Sequence, residues 1–134
     1  VPVRTRKAVE RAAGNATAFA EVFKIIPKES GIYVTCLDPL ERSSTTHSRG
    51  FSLVAGNVAE DPATGSASGC LGAYLVHRKL VKVDKVVRMT NEQGYEMGRA
   101  SKIEIEVRTD GRDKIEEVRV GGTTVHMMDG VAYL

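Results

Sequence analysis

Hydrophobic and polar positions alternate most cleanly over residues 102–109, KIEIEVRT, where Ile103, Ile105 and Val107 share one face. A period of two predicts a strand with one buried side. Asp110-Gly111 is a hairpin-turn pair, and IEEVRV at 115–120 reads as the returning strand. Gly121-Gly122 and TTVHMM (123–128) extend the same meander, with a further turn at Asp129-Gly130 before the closing VAYL. Upstream, GIYVTCL (31–37) is rich in β-branched and aromatic residues and ends at Asp38-Pro39. ERSSTTHS (41–48) reads as a loop or strand entrance, and RGFSLVAG (49–56) as another strand. Residues 83–99 read as a strand leading into a glycine-punctuated turn, and VPVRT at the start as a short strand. Between residues 6 and 27 the pattern is helical, broken at Gly14-Asn15 and stopped by Pro27. Strands and helices do not alternate regularly, so the class is α+β and not a doubly wound sheet.

The segment EDPATGSASGCLGAYLV (60–76) breaks the strand pattern. Pro62 biases Asp61 toward extended backbone, and residues 62–65 read as a turn. A helix is predicted from about Ser66 to Lys79, with Thr64 and Ser66 both suited to its N-cap. His77, Arg78 and Lys79 place cations in its last turn, where they oppose the macrodipole. Ala67, Gly69, Gly72 and Ala73 carry almost no side chain. Each helical glycine costs about 1 kcal/mol against alanine, so close approach of a neighbouring element is the expected compensation. Small or apolar residues around most of its circumference predict a helix enclosed by a curved sheet, with Cys70 as a small core residue.

The N-terminus of that helix is the chemical feature. Its first-turn N–H groups and the hydroxyls of Thr64 and Ser66 favour an anion such as a carboxylate. Asp61 stands just upstream, placed to move a proton if its surroundings tune it. The same residues are also ordinary capping and turn formers, and both readings stand at this point. Known glycine signatures do not fit. No lysine follows the glycines as in a phosphate-binding loop, Ala67 stands where G-x-S-x-G needs serine, and the spacing is not a dinucleotide fingerprint.

Composition narrows the class. The length, 134 residues, suits one domain, with 42% hydrophobic residues but only 5% aromatics and no Trp, so the core is aliphatic. A net charge of +2 without a basic patch or interleaved aromatics argues against nucleic acid as a partner. No apolar run reaches membrane-spanning length and no signal peptide opens the chain. Cys36 and Cys70 form no CxxC pair, which fits a reduced, cytoplasmic protein. His47, His77 and His126 lie on separate elements without ligand spacing, so no metal site is expected. Arg49 and Arg99 suit a substrate carboxylate, although structural roles are commoner for arginine. The chain begins with Val1, not methionine, and is expected to be a piece of a longer protein or a trimmed numbering.

The ordered string EDPATGSA (60–67) resembles the hallmark of the PhzF family of phenazine biosynthesis, which shares the diaminopimelate epimerase-like fold. RGF (49–51), LGAYLVH (71–77), QGYEMGRAS (93–101, with Ala100 where proline is usual) and VRVGGTTV (118–125) resemble further family segments in order. The resemblance implies a mixed, mostly antiparallel sheet curled into a barrel-like wrap around one central helix. Residues 1–134 would be a single domain, the C-terminal half of a two-domain protein with its active site between the halves. It makes Asp61 a catalytic residue aiding proton shuttling and Gly65 and Ser66 substrate contacts. Thr64, on the strength of its hydroxyl at the helix tip, joins them as a candidate substrate-binding residue. The family's principal acid/base is a glutamate in the N-terminal half, assisted by a histidine motif there, and no segment here matches either. Sister epimerases use paired cysteines; Cys70 lies inside the helix, so a thiol mechanism is not supported.

The function expected is therefore a cofactor-independent, metal-free isomerase. It would move a proton on a small carboxylate-bearing metabolite, with this chain supplying half of the site beside an N-terminal half-domain. The alternative is a non-catalytic domain that binds a small anion or a protein, or a homodimer in which one half-unit replaces the other.

Overall fold

A computed structural model of the chain describes residues 1–25, 31–112 and 114–132. The elements are α1 (Arg6–Glu10), α2 (Ala16–Val22), β1 (Ile32–Cys36), β2 (Thr46–Val54), β3 (Asn57–Asp61), α3 (Gly65–His77), β4 (Val86–Gln93), β5 (Ser101–Thr109) and β6 (Ile115–Gly121). The class is α+β, as the pattern predicts. The strands form one mixed sheet in the order β1-β2-β4-β5-β6, with β3 also on β2.

The register of β2 places the site. β1 pairs antiparallel with residues 47–51 of β2 along one edge. On the other edge β3 pairs antiparallel with residues 50–54, and β4 pairs parallel with residues 46–48. β3 and β4 thus follow one another along a single edge of β2. The end of β3, Asp61 opposite Gly50, meets the end of β4, Gln93 opposite Ser48, at a fork in the sheet.

Strand alternation sorts the side chains. Thr46, Ser48, Asn91, Gln93, Tyr33 and Thr35 turn to the face that carries α3, as do Val87, Met89, Ile103, Ile105 and Val107. Under the C-terminal half of α3 this face is apolar: Leu71, Leu75 and Val76 pack with Val87, Met89, Ile105 and Val107. Under its N-terminal half the face is polar, a division that no hydrophobic pattern announces. The opposite face carries α1, whose Val9 is buried, and α2 with buried Phe19. Asn15 caps α2, its side chain accepting from Ala18 N at 3.0 Å, so the Gly14-Asn15 break is a helix start.

Several expectations are corrected. The sheet is open and does not close into a barrel around α3. α3 is consequently buried on one side only, with Gly65, Ser66, Tyr74 and His77 exposed; Cys70 is exposed too and is not a core residue. β3 is a strand the pattern missed, joined to β2 by Ala55-Gly56 at positive φ (49° and 81°). Residues 123–128 form no strand. Neither Gly121 nor Gly122 takes the positive φ of a tight hairpin, so the chain does not turn back along β6. VPVRT contributes a single parallel bridge, Pro2 to Thr35. α2 ends at Val22, ahead of Pro27, which lies outside the described residues, as do the last two residues of VAYL.

Candidate active site

Asp61, Thr64 and Ser66 line one cleft of about 390 Å³, with Tyr33, Phe51, Ala67 and Cys70 on its other walls. Thr64 occupies the N-cap of α3 in extended backbone (φ −99°, ψ 92°), yet its side chain makes no cap bond. Its hydroxyl lies 2.8 Å from Asp61 Oδ2, while Ala63 N points at Oδ1 from 3.4 Å. The first turn of α3 is therefore left to the cleft. Gly65 does not line it; it faces a shallower groove between α3 and β6, near Val118 and Val120.

Gln93 ties the fork together. It is fully buried, and its Nε2 donates to Asp61 O at 2.6 Å and to Thr64 Oγ1 at 2.8 Å. Its Oε1 accepts from Tyr33 OH at 2.6 Å and Thr64 N at 3.0 Å. Behind it, Asn91 Nδ2 donates to Tyr33 OH (2.7 Å) and Ser68 Oγ (3.3 Å), and Asn91 Oδ1 accepts from Thr46 and Ser48. Buried polar groups are costly unless paired, and this set is paired. Burial pushes the Tyr33 phenol up, against the opposing pull of its Ser68 and Asn91 partners, so it stays a donor. Gly50 makes the packing possible. A Cβ there would meet Thr64 Oγ1 at 2.8 Å, Gln93 Nε2 at 3.1 Å and Tyr33 Cδ2 at 3.3 Å.

The other face of the fork is an ion-pair layer. Arg49 forms a two-pronged pair with Glu60 (2.8 and 2.7 Å) and donates from Nη1 to the Glu10 and Ala12 carbonyls at the end of α1. It lies 4.9 Å from the Phe51 ring centroid. Arg49 is thus a strut and not a cleft residue, and Glu60 is its partner. His47 is buried between Glu92 (3.1 Å from Nδ1) and Glu96 (2.7 Å from Nε2). Burial would raise the Glu92 carboxyl, but the Leu40 and Glu41 amides at 2.7 and 2.8 Å hold it below the usual carboxylate range. The Tyr95 phenol, beside His47, is pushed up to about 12 by burial and by its bond to Glu41.

A larger hollow of about 520 Å³ lies on the face away from α3, among Arg88, Glu106 and Arg119. Arg88 pairs there with Glu106 at 2.9 Å and Arg119 with Glu117 at 2.9 Å, while Glu104 lines the same hollow. Among the described residues no group of three or more His, Cys, Asp or Glu side chains is arranged to hold a metal ion. No helix among them is long and apolar enough to cross a membrane.

The structure brings three of the four sequence candidates, Asp61, Thr64 and Ser66, into one cleft and leaves Gly65 at its back. Tyr33 and Gln93 were not among the candidates. Tyr33 reads as an ordinary strand aromatic; Gln93 opens the family-like segment QGYEMGRAS, but its place at the site comes through the parallel pairing of β4 with β2, which has no local signal.

Comparison with known proteins agrees with this architecture. The profile of the PhzC-PhzF family, phenazine biosynthesis-like protein, matches residues 1–130. An uncharacterized isomerase of Clostridium acetobutylicum is 35% identical over 126 residues, covering 93% of this chain and 41% of the relative. The uncharacterized isomerase YfhB of Bacillus subtilis is 32% identical over 126 residues, covering 94% and 41%. The crystal structure of the Bacillus anthracis phenazine biosynthesis protein, PhzF family, superposes with a TM-score of 0.72 at 28% identity, over 90% of this chain and 44% of that one. The chain spans about two fifths of the length of the curated relatives it matches.

Proposed function

Since the chain belongs to the phenazine biosynthesis-like protein family, we propose that it forms one wall of an isomerase active site. The reaction moves a proton on a small carboxylate-bearing molecule. Asp61 relays that proton, and the first turn of α3, with Ser66, holds the substrate carboxylate. Thr64 serves the site through Asp61, and Gly65, outside the cleft, only as the first residue of α3. A second, N-terminal half-domain supplies the principal acid/base. Proton transfer of this kind needs neither metal nor organic cofactor.

One observation carries the reading. The Thr64 hydroxyl is spent on Asp61 and not on capping α3, so the uncapped helix tip and the Asp61 side chain stand side by side at one cleft, which supports a site for an anion beside a proton-moving group. The half-site part rests on a second. Val125, Met127, Met128 and Val131 are largely exposed in the tail after β6, where further protein would cover them. A second copy of this chain is the other occupant that fits.

The test is co-expression with a candidate N-terminal half, followed by solvent-deuterium incorporation into small amino and hydroxy acids. Exchange at the carbon beside the carboxylate is expected. Absence of exchange across the panel, together with unmoved amide resonances at 64–67, would overturn the proposal.

A further inference from the structure

The hydrogen-bond pattern around Gln93 fixes the direction of the protons that it shares with Thr64, Asp61 and Tyr33. Thr64 N can only donate, so the amide atom facing it at 3.0 Å must be Oε1. Nε2 then faces the Asp61 carbonyl, which can only accept, and Thr64 Oγ1. Both Nε2 protons are thereby assigned. Thr64 Oγ1 accepts from Gln93, and its own proton is left for Asp61 Oδ2 at 2.8 Å. On the acceptor side, the Tyr33 hydroxyl donates to Oε1 and takes Asn91 Nδ2 as its own donor. The Gln93 amide cannot flip without setting Nε2 against Thr64 N and Oε1 against the Asp61 carbonyl.

We infer that Gln93 is a positioning residue: it orients the Thr64 hydroxyl as a permanent donor to Asp61 and anchors the Asp61 backbone. It never reaches the cleft, which lies beyond Asp61 and Thr64. The effect is to hold the Asp61 carboxylate in one orientation with Oδ2 engaged. Oδ1, facing only a long Ala63 N–H, is the oxygen free to exchange a proton. Gly50 is part of the device, since any side chain there enters the space of Thr64 Oγ1 and Gln93 Nε2. This inference rests on the reading of Asp61 as a proton-moving group.

The test is NMR on the labelled full chain at neutral pH, without substrate. In the unsubstituted protein both Gln93 Nε2 protons should be protected from exchange, and the Thr64 hydroxyl proton should appear as a slow-exchanging signal. Gln93→Glu keeps the acceptors but removes both donors, so the Thr64 proton turns away from Asp61. The Asp61 carboxyl carbon should shift as it does in Thr64→Val, and the double variant should add nothing further. If Gln93→Glu does not fold, the unsubstituted protein and Thr64→Val decide. Rapidly exchanging Nε2 protons, or an Asp61 carboxyl carbon unmoved by Thr64→Val, would overturn the inference. So would a folded Gln93→Glu whose Asp61 signal does not move. None of these signals needs turnover, so they can fail while Asp61 still proves to move protons, and can hold where no exchange activity is found.

Discussion

Two positions at the fork, Gly50 and Glu92, show what single residues contribute. A methyl group at Gly50 would sit 2.8 Å from Thr64 Oγ1, inside a network with no slack. Gly50→Ala should therefore destabilise the fold by about 1–3 kcal/mol, read as a lower urea midpoint. Glu92 is stabilising in its ionised form, because the Leu40 and Glu41 amides depress its carboxyl below the ordinary 4.5. That contribution is complete above the ordinary value and fades as pH falls through the lower folded value. Glu92→Gln should cost about 1–3 kcal/mol at neutral pH, and its deficit against the parent should shrink on acidification below 4.5. Urea unfolding at both pH values measures it. At this scale the sequence was a partial guide. Asp61, Thr64 and Ser66 stood out because proline, glycine and hydroxyl residues mark a junction locally. Tyr33, Asn91 and Gln93 did not, because their partners lie 23 to 60 residues away.

Among elements, α3 is the one whose composition asks for an explanation, and its two interior glycines answer differently. A Cβ on Gly72 would lie 2.5 Å from Ile105 Cγ2 and 3.2 Å from Val107 Cγ2, in the packed core. At Gly69 the nearest atom is Val120 Cγ2, at 3.3 Å, and Val120 is itself exposed. Gly72→Ala should lose about 1–3 kcal/mol to overpacking, more than the helix gain of about 1 kcal/mol returns. Gly69→Ala should instead be neutral or stabilising by up to about 1 kcal/mol; thermal melts of the two variants decide. The close approach inferred from tiny residues is thus found at Gly72. The enclosure inferred from the same residues is not, because β1 and β6 end the sheet without meeting. Strands with clean alternation, such as β5, were legible; β3 was hidden inside a segment dominated by its turn chemistry. The expected strand at 123–128 failed because a Gly-Gly pair permits a hairpin without requiring one.

For the molecule as a whole, the polar half of the α3-covered face, the fork and the cleft lie at one end of the domain, and the apolar core lies at the other. This division lets a stable core carry a site backed by a buried, paired polar network. The exposed apolar tail marks where additional protein is proposed to join. Amide exchange over residues 123–132 should be fast in this chain alone and slow markedly when the N-terminal half is present. The most direct test of the account compares solvent-deuterium incorporation in the joined protein with that of its Asp61→Asn variant, using any acid found to exchange. A fall of roughly 100-fold or more is expected, with the substrate still shifting the Ser66 amide. Exchange that continues at the parent rate in Asp61→Asn would contradict it.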